Sequence, residues 1–64
     1  MGSILVRYQV VIGKLNGCHT TEDFDKYEDA RDRYNEWRRA NYETHIVVVS
    51  INLEELTATY NPLV

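Results

Sequence analysis

The sequence predicts an α+β domain, with one amphipathic helix packed on one face of a three- to four-stranded antiparallel sheet, in the order ββαβ or ββαββ. Three observations carry that expectation. Residues 4–12 alternate between a wholly apolar or aromatic set and a mixed one, residues 27–42 repeat aromatic side chains at helical spacing, and residues 44–51 are the most β-prone stretch of the chain. At 64 residues the chain forms a single domain, 1–64.

The first strand is expected over residues 4–12. Ile4, Val6, Tyr8, Val10 and Ile12 point one way, and Leu5, Arg7, Gln9 and Val11 the other. Gly13-Lys14-Leu15-Asn16-Gly17 follows, and its Asn-Gly pair signals a tight turn because both residues tolerate positive φ. A second strand should then return over 18–24. Its threonine-rich, polar composition suits an exposed edge.

The helix is expected over 26–42. Asp25 with Glu28 three residues on reads as a variant of the capping box. Tyr27, Ala30, Tyr34, Trp37 and Asn41 or Tyr42 form one stripe at spacings of three and four. The other face is charged, with Asp29–Arg33 and Glu36–Arg39 at pairing distance. Acids lie at its start and Arg38 and Arg39 near its end, as the helix dipole favours.

Residues 44–51 form the next strand. It is apolar on both faces, with Ile46 and Val48 on one and Val47, Val49 and Ile51 on the other, so it should be covered on both sides. Residues 56–60 form a short fourth strand or a helical turn, and Pro62 ends either.

A chain of this size buries only about 60% of its unfolded surface and usually needs a supplement to its core. Cys18 is alone, so no internal disulfide is available. Cys18, His19 and His45 fall short of a zinc set, and no cofactor is expected. Self-association remains. With one helix covering one face, Leu5, Val11, Ile46 and Val48 are expected on the opposite face as the interface of a homodimer, formed face to face or by edge pairing. Tyr42 and Tyr60 are candidate interface anchors.

Net charge is −3 and pI about 5.2, which argues against a general binder of nucleic acid or anionic membrane. The longest apolar runs are far below the roughly 18 residues of a membrane span. The lone thiol fits a reducing, cytoplasmic setting. Catalysis is not expected. Adjacent Cys18 and His19 would diverge on a strand, and no third group orients them. The glycines match no phosphate-binding loop.

Charge is uneven. Residues 22–43 hold eight acids against five bases, which accounts for the whole net charge. Asp25, Glu28, Asp29, Asp32 and Glu36 form an acidic pole at and beyond the helix start, a candidate docking surface for a protein partner with a basic surface. Arg31, Arg33, Arg38 and Arg39 offer the competing expectation, a small nucleic-acid-binding regulator. A structural or assembly role is a further alternative.

The succession of strand, Asn-Gly hairpin, the helix opening Phe24-Asp25-Lys26-Tyr27-Glu28-Asp29-Ala30 and the valine-rich strand resembles small phage and prophage accessory proteins. Short, acidic, tyrosine-rich α+β domains are common among them. The resemblance implies a stoichiometric inhibitor of a host enzyme or defence system, acting in the host cytoplasm, and assigns no particular residue to that role.

Overall fold

The computed structural model describes residues 3–63. It has five elements: β1 (Ile4–Gly13), β2 (His19–Phe24), α1 (Tyr27–Arg39), β3 (Thr44–Asn52) and β4 (Thr57–Pro62). The strands form one antiparallel sheet in the order β2-β1-β3-β4. The molecule is therefore an α+β fold of the ββαββ kind, with residues 57–62 supplying the fourth strand.

β1 lies inside the sheet and is the longest strand, at ten residues. It pairs with β2 through Tyr8↔Phe24 to Gly13↔His19 and with β3 through Ile4↔Asn52 to Ile12↔Thr44. Directly opposed residues share a face. Tyr8, Val10, Ile12, Phe24, Ile46 and Val48 consequently share the helix side. There Val10, Ile12 and Ala30 form a buried cluster, with Tyr8, Phe24 and Trp37 packed against it.

The helix departs from the expected 26–42 at both ends. Lys26 is the N-cap and makes no side-chain cap bond. The capping box is absent because Asp25 turns to Arg7 instead, with Nη1 to Oδ1 at 3.1 Å. At the other end Asn41 adopts φ 67°. Its N–H bonds to the Arg38 carbonyl, and the Tyr42 N–H reaches back to the Trp37 carbonyl. That pair of bonds is a Schellman motif, closed by an edge-to-face contact of Trp37 with Tyr42 at 5.2 Å. Asn41 and Tyr42 thus end the stripe rather than continue it.

The first hairpin also turns differently. Positive φ falls at Gly13 (φ 120°), and neither Asn16 nor Gly17 has it. The turn runs from Lys14 to Gly17, whose N–H bonds to the Lys14 carbonyl at 3.2 Å. Gly13 cannot be replaced freely, since an added Cβ would stand 2.6 Å from the Cys18 carbonyl oxygen. In the second hairpin, Asn52 Oδ1 accepts from the N–H groups of Glu54 and Glu55, and Leu56 takes φ 55° with its side chain 84% exposed.

The helix packs on β1, β2 and β3 and makes no close contact with β4. Thirteen helical residues span about 20 Å, whereas ten strand residues span about 33 Å. The sheet therefore overhangs the helix. Ile4 and Val6 lie on that overhang, largely exposed although they face the helix side.

Candidate binding surface

The face opposite the helix has no covering element among the described residues. Reading across the sheet, its rows are Asp23–Gln9–Val47–Pro62, then Arg7–Val49–Tyr60, then Leu5–Ile51–Ala58. Val11, Val47 and Val49 form a second buried cluster there, with Leu15 and Ile51 packed against it. β3 is thus apolar on both faces because each face has its own core.

A shallow groove of about 370 Å³ runs along this face. Leu5, Val49 and Ile51 form its apolar floor, Tyr60 one wall, and Arg7, Gln9 and Asp23 the other. Two polar contacts hold that second wall. Arg7 pairs with Asp25 at 3.1 Å, and Gln9 Nε2 donates to Asp23 Oδ1 at 3.2 Å. The groove offers an aliphatic base, one exposed phenol and charges of both signs at its rim. That suits the mixed side chains of a protein segment.

The expected interface residues divide. Leu5 and Val11 do lie on this open face. Ile46 and Val48 do not: they oppose Val10 and Tyr8 and face the helix, with Ile46 only 1% exposed. The two alternating sets of β3 do separate onto opposite faces, but one strand alone does not say which set faces the helix. The residues that replace them are Val47, Val49 and Ile51. Arg7, Gln9 and Asp23 carry no signal in the sequence, because isolated polar residues on a strand look merely solvated.

The acidic pole divides too. Asp25 is taken by Arg7, and Glu36 by Arg33 at 2.9 Å. Glu28, Asp29 and Asp32 stay exposed on the helix surface and pair with nothing among the described residues. The expected Asp29–Arg33 and Glu36–Arg39 pairs do not form. Arg33 instead reaches β2, where Nε and Nη2 grip the two oxygens of Glu22 at 3.0 and 3.2 Å. Trp37 Nε1 donates to the same carboxylate at 3.0 Å, and the Arg33 guanidinium lies over the Trp37 ring. The Arg33 bond holds the Glu22 carboxyl below its ordinary 4.5; partial burial opposes this, and the Trp37 bond adds to the lowering. Glu22 in turn raises the Arg33 guanidinium above its usual range.

The residues with nucleophilic or metal-binding chemistry stand apart. Cys18 is exposed in the first hairpin rather than on a strand. The His19 ring is turned into that hairpin, its Nδ1 within 2.8 Å of the Lys14 carbonyl oxygen and 3.0 Å of that of Gly17. His45 Nε2 lies 3.0 Å from Glu43 Oε2. No group of three or more His, Cys, Asp or Glu converges on a metal position among the described residues. No described helix is long and apolar enough to cross a membrane.

Compared with known proteins, the chain matches no family pattern, no curated sequence and no solved structure significantly.

Proposed function

We propose that this protein is a non-catalytic binding module that holds a protein partner stoichiometrically through the open face of its sheet. The groove floored by Leu5, Val49 and Ile51 and walled by Tyr60 and Arg7 is the observation that carries the reading. An enzyme of another organism or a defence protein is the kind of partner the sequence resemblance suggests, and blocking it is the corresponding mode of action.

The nucleic-acid alternative is the less favoured reading. Arg33 is engaged by Glu22 and Glu36, and Arg38 Nη1 donates to the Tyr34 hydroxyl at 2.9 Å. Two of the four helix arginines are thereby committed within the fold. Glu28, Asp29 and Asp32, exposed and unpaired among the described residues, support a second reading, docking of a basic partner on the helix.

One pair of variants separates the two surfaces. Leu5→Lys places a charge on the groove floor at a residue already 44% exposed, so the fold tolerates it. The triple reversal Glu28→Lys, Asp29→Lys, Asp32→Lys leaves the groove untouched. Partners captured by the tagged wild-type chain should bind Leu5→Lys at least about tenfold more weakly and the triple variant with little loss. The opposite pattern would move the docking surface to the helix.

A further inference from the structure

We infer that β4 is a self-pairing edge, through which two copies of this chain join their sheets into one about a two-fold axis at Thr59. In an antiparallel ladder, opposed pairs alternate between bonded and unbonded. The Leu63 N–H bonds to the Ile46 carbonyl at 2.7 Å, in line with the register Val47↔Pro62 to Asn52↔Thr57. It follows that Asn61, Thr59 and Thr57 direct their backbone groups toward β3. Ala58, Tyr60 and Pro62 direct theirs outward.

That phase leaves two of the three outward positions, Ala58 and Tyr60, able to donate to a neighbour. Proline is tolerated in a sheet where its missing N–H is not asked to bond, and Pro62 sits at such an outward position. Ala58 and Tyr60 keep outward N–H and carbonyl groups. Placed antiparallel to itself about Thr59, the strand opposes Ala58 of each copy to Tyr60 of the other. Each opposed pair exchanges two hydrogen bonds, so four form in all. The same register sets the largest side chain of β4 beside its smallest on the open face, Tyr60 against Ala58. It also extends both open faces in one direction and keeps both helices on the other.

Charge selects this edge over the alternatives. All six residues of β4 are exposed, and none carries a formal charge at neutral pH. An uncharged edge that no described element covers is a template for strand addition. The opposite edge, β2, carries Glu22 and Asp23 side by side, and self-pairing there would confront like charges. β1 also runs unpaired past the end of β2, from Ile4 to Arg7, but that stretch is shorter than β4 and carries the charged Arg7. Self-association also supplies the supplement that a 64-residue core calls for.

The test uses the full chain. Sedimentation equilibrium of the wild type should give twice the 7.5 kDa chain mass at high micromolar concentration. Thr59→Lys sets like charges against each other at the axis, and Ala58→Pro removes an outward donor that β3 does not use. Both should remain folded by circular dichroism and sediment as monomers. In a Cys18→Ser background, Thr59→Cys should form an intermolecular disulfide under mild oxidation. The two residues would be an unbonded pair with Cα atoms about 4.5 Å apart, within disulfide reach. A wild type that stays monomeric would overturn the inference. So would a dimer that Thr59→Lys leaves intact, or a folded Thr59→Cys variant that does not cross-link.

Discussion

Glu22 sits on an edge strand yet accepts three hydrogen bonds, two from the Arg33 guanidinium and one from the Trp37 indole. These bonds fasten β2 to α1 and hold the Glu22 carboxyl below its ordinary 4.5. Because the folded state binds this proton less tightly than the unfolded chain, the linked stability is fully present above pH 4.5. It is lost as pH falls through the lowered value. Glu22→Gln keeps an acceptor for Trp37 but removes the charge. In urea titrations the variant should be less stable than the wild type at pH 7, and the gap should close as pH drops below about 4.5. The sequence did not disclose this pair, since Arg33 has an acid four residues before it and another three after. Helical spacing favoured Asp29 and could not show that a β2 carboxylate lies within bidentate reach.

At the scale of the element, the sequence disclosed the first three strands and the helix, left 56–60 open between a strand and a helical turn, and misplaced the helix ends and the first turn. Helix ends and turns depend on single backbone angles, and several residue types can satisfy the same orphaned groups. Asp25 had a charged alternative in Arg7, so the capping box did not form. Asn41 took the left-handed position that stops the helix, where periodicity alone would have continued it. The second hairpin shows the same economy less comfortably, because Leu56 holds φ 55° without glycine's freedom. A left-handed residue with a Cβ costs roughly 1–2 kcal/mol, partly offset by the greater unfolded-state entropy of glycine, about 0.4–1 kcal/mol. Leu56→Gly should therefore raise stability by about 0.5–1 kcal/mol, read as a higher denaturation midpoint with unchanged slope. Its side chain is almost wholly exposed, so little packing is lost.

For the whole molecule, what the sequence left open was parity. Alternation in 44–51 was plain, but assigning Ile46 and Val48 to the free face required the register with β1, which no local pattern supplies. The consequence is measurable. Ile46 is 1% exposed beneath the helix, so Ile46→Ala should cost about 2–5 kcal/mol. That is a large part of the roughly 3–10 kcal/mol expected of a domain this size. Leu5→Ala on the open face should cost far less. Denaturation of the two variants would distinguish the helix side from the groove side directly.

The strand order carries a consequence for how the chain reaches this state. β1–β2 and β3–β4 are local hairpins, whereas the central β1–β3 pairing must enclose the whole of β2 and α1. Bringing Gly13 to Thr44 closes a loop of about 30 residues instead of about five, an added entropic cost of roughly 1.5 kcal/mol. The two valine-rich faces of β3 offset that cost only once both are seated. Two hairpins can form early and independently, and the step that joins them through the middle of the sheet sets the pace of folding.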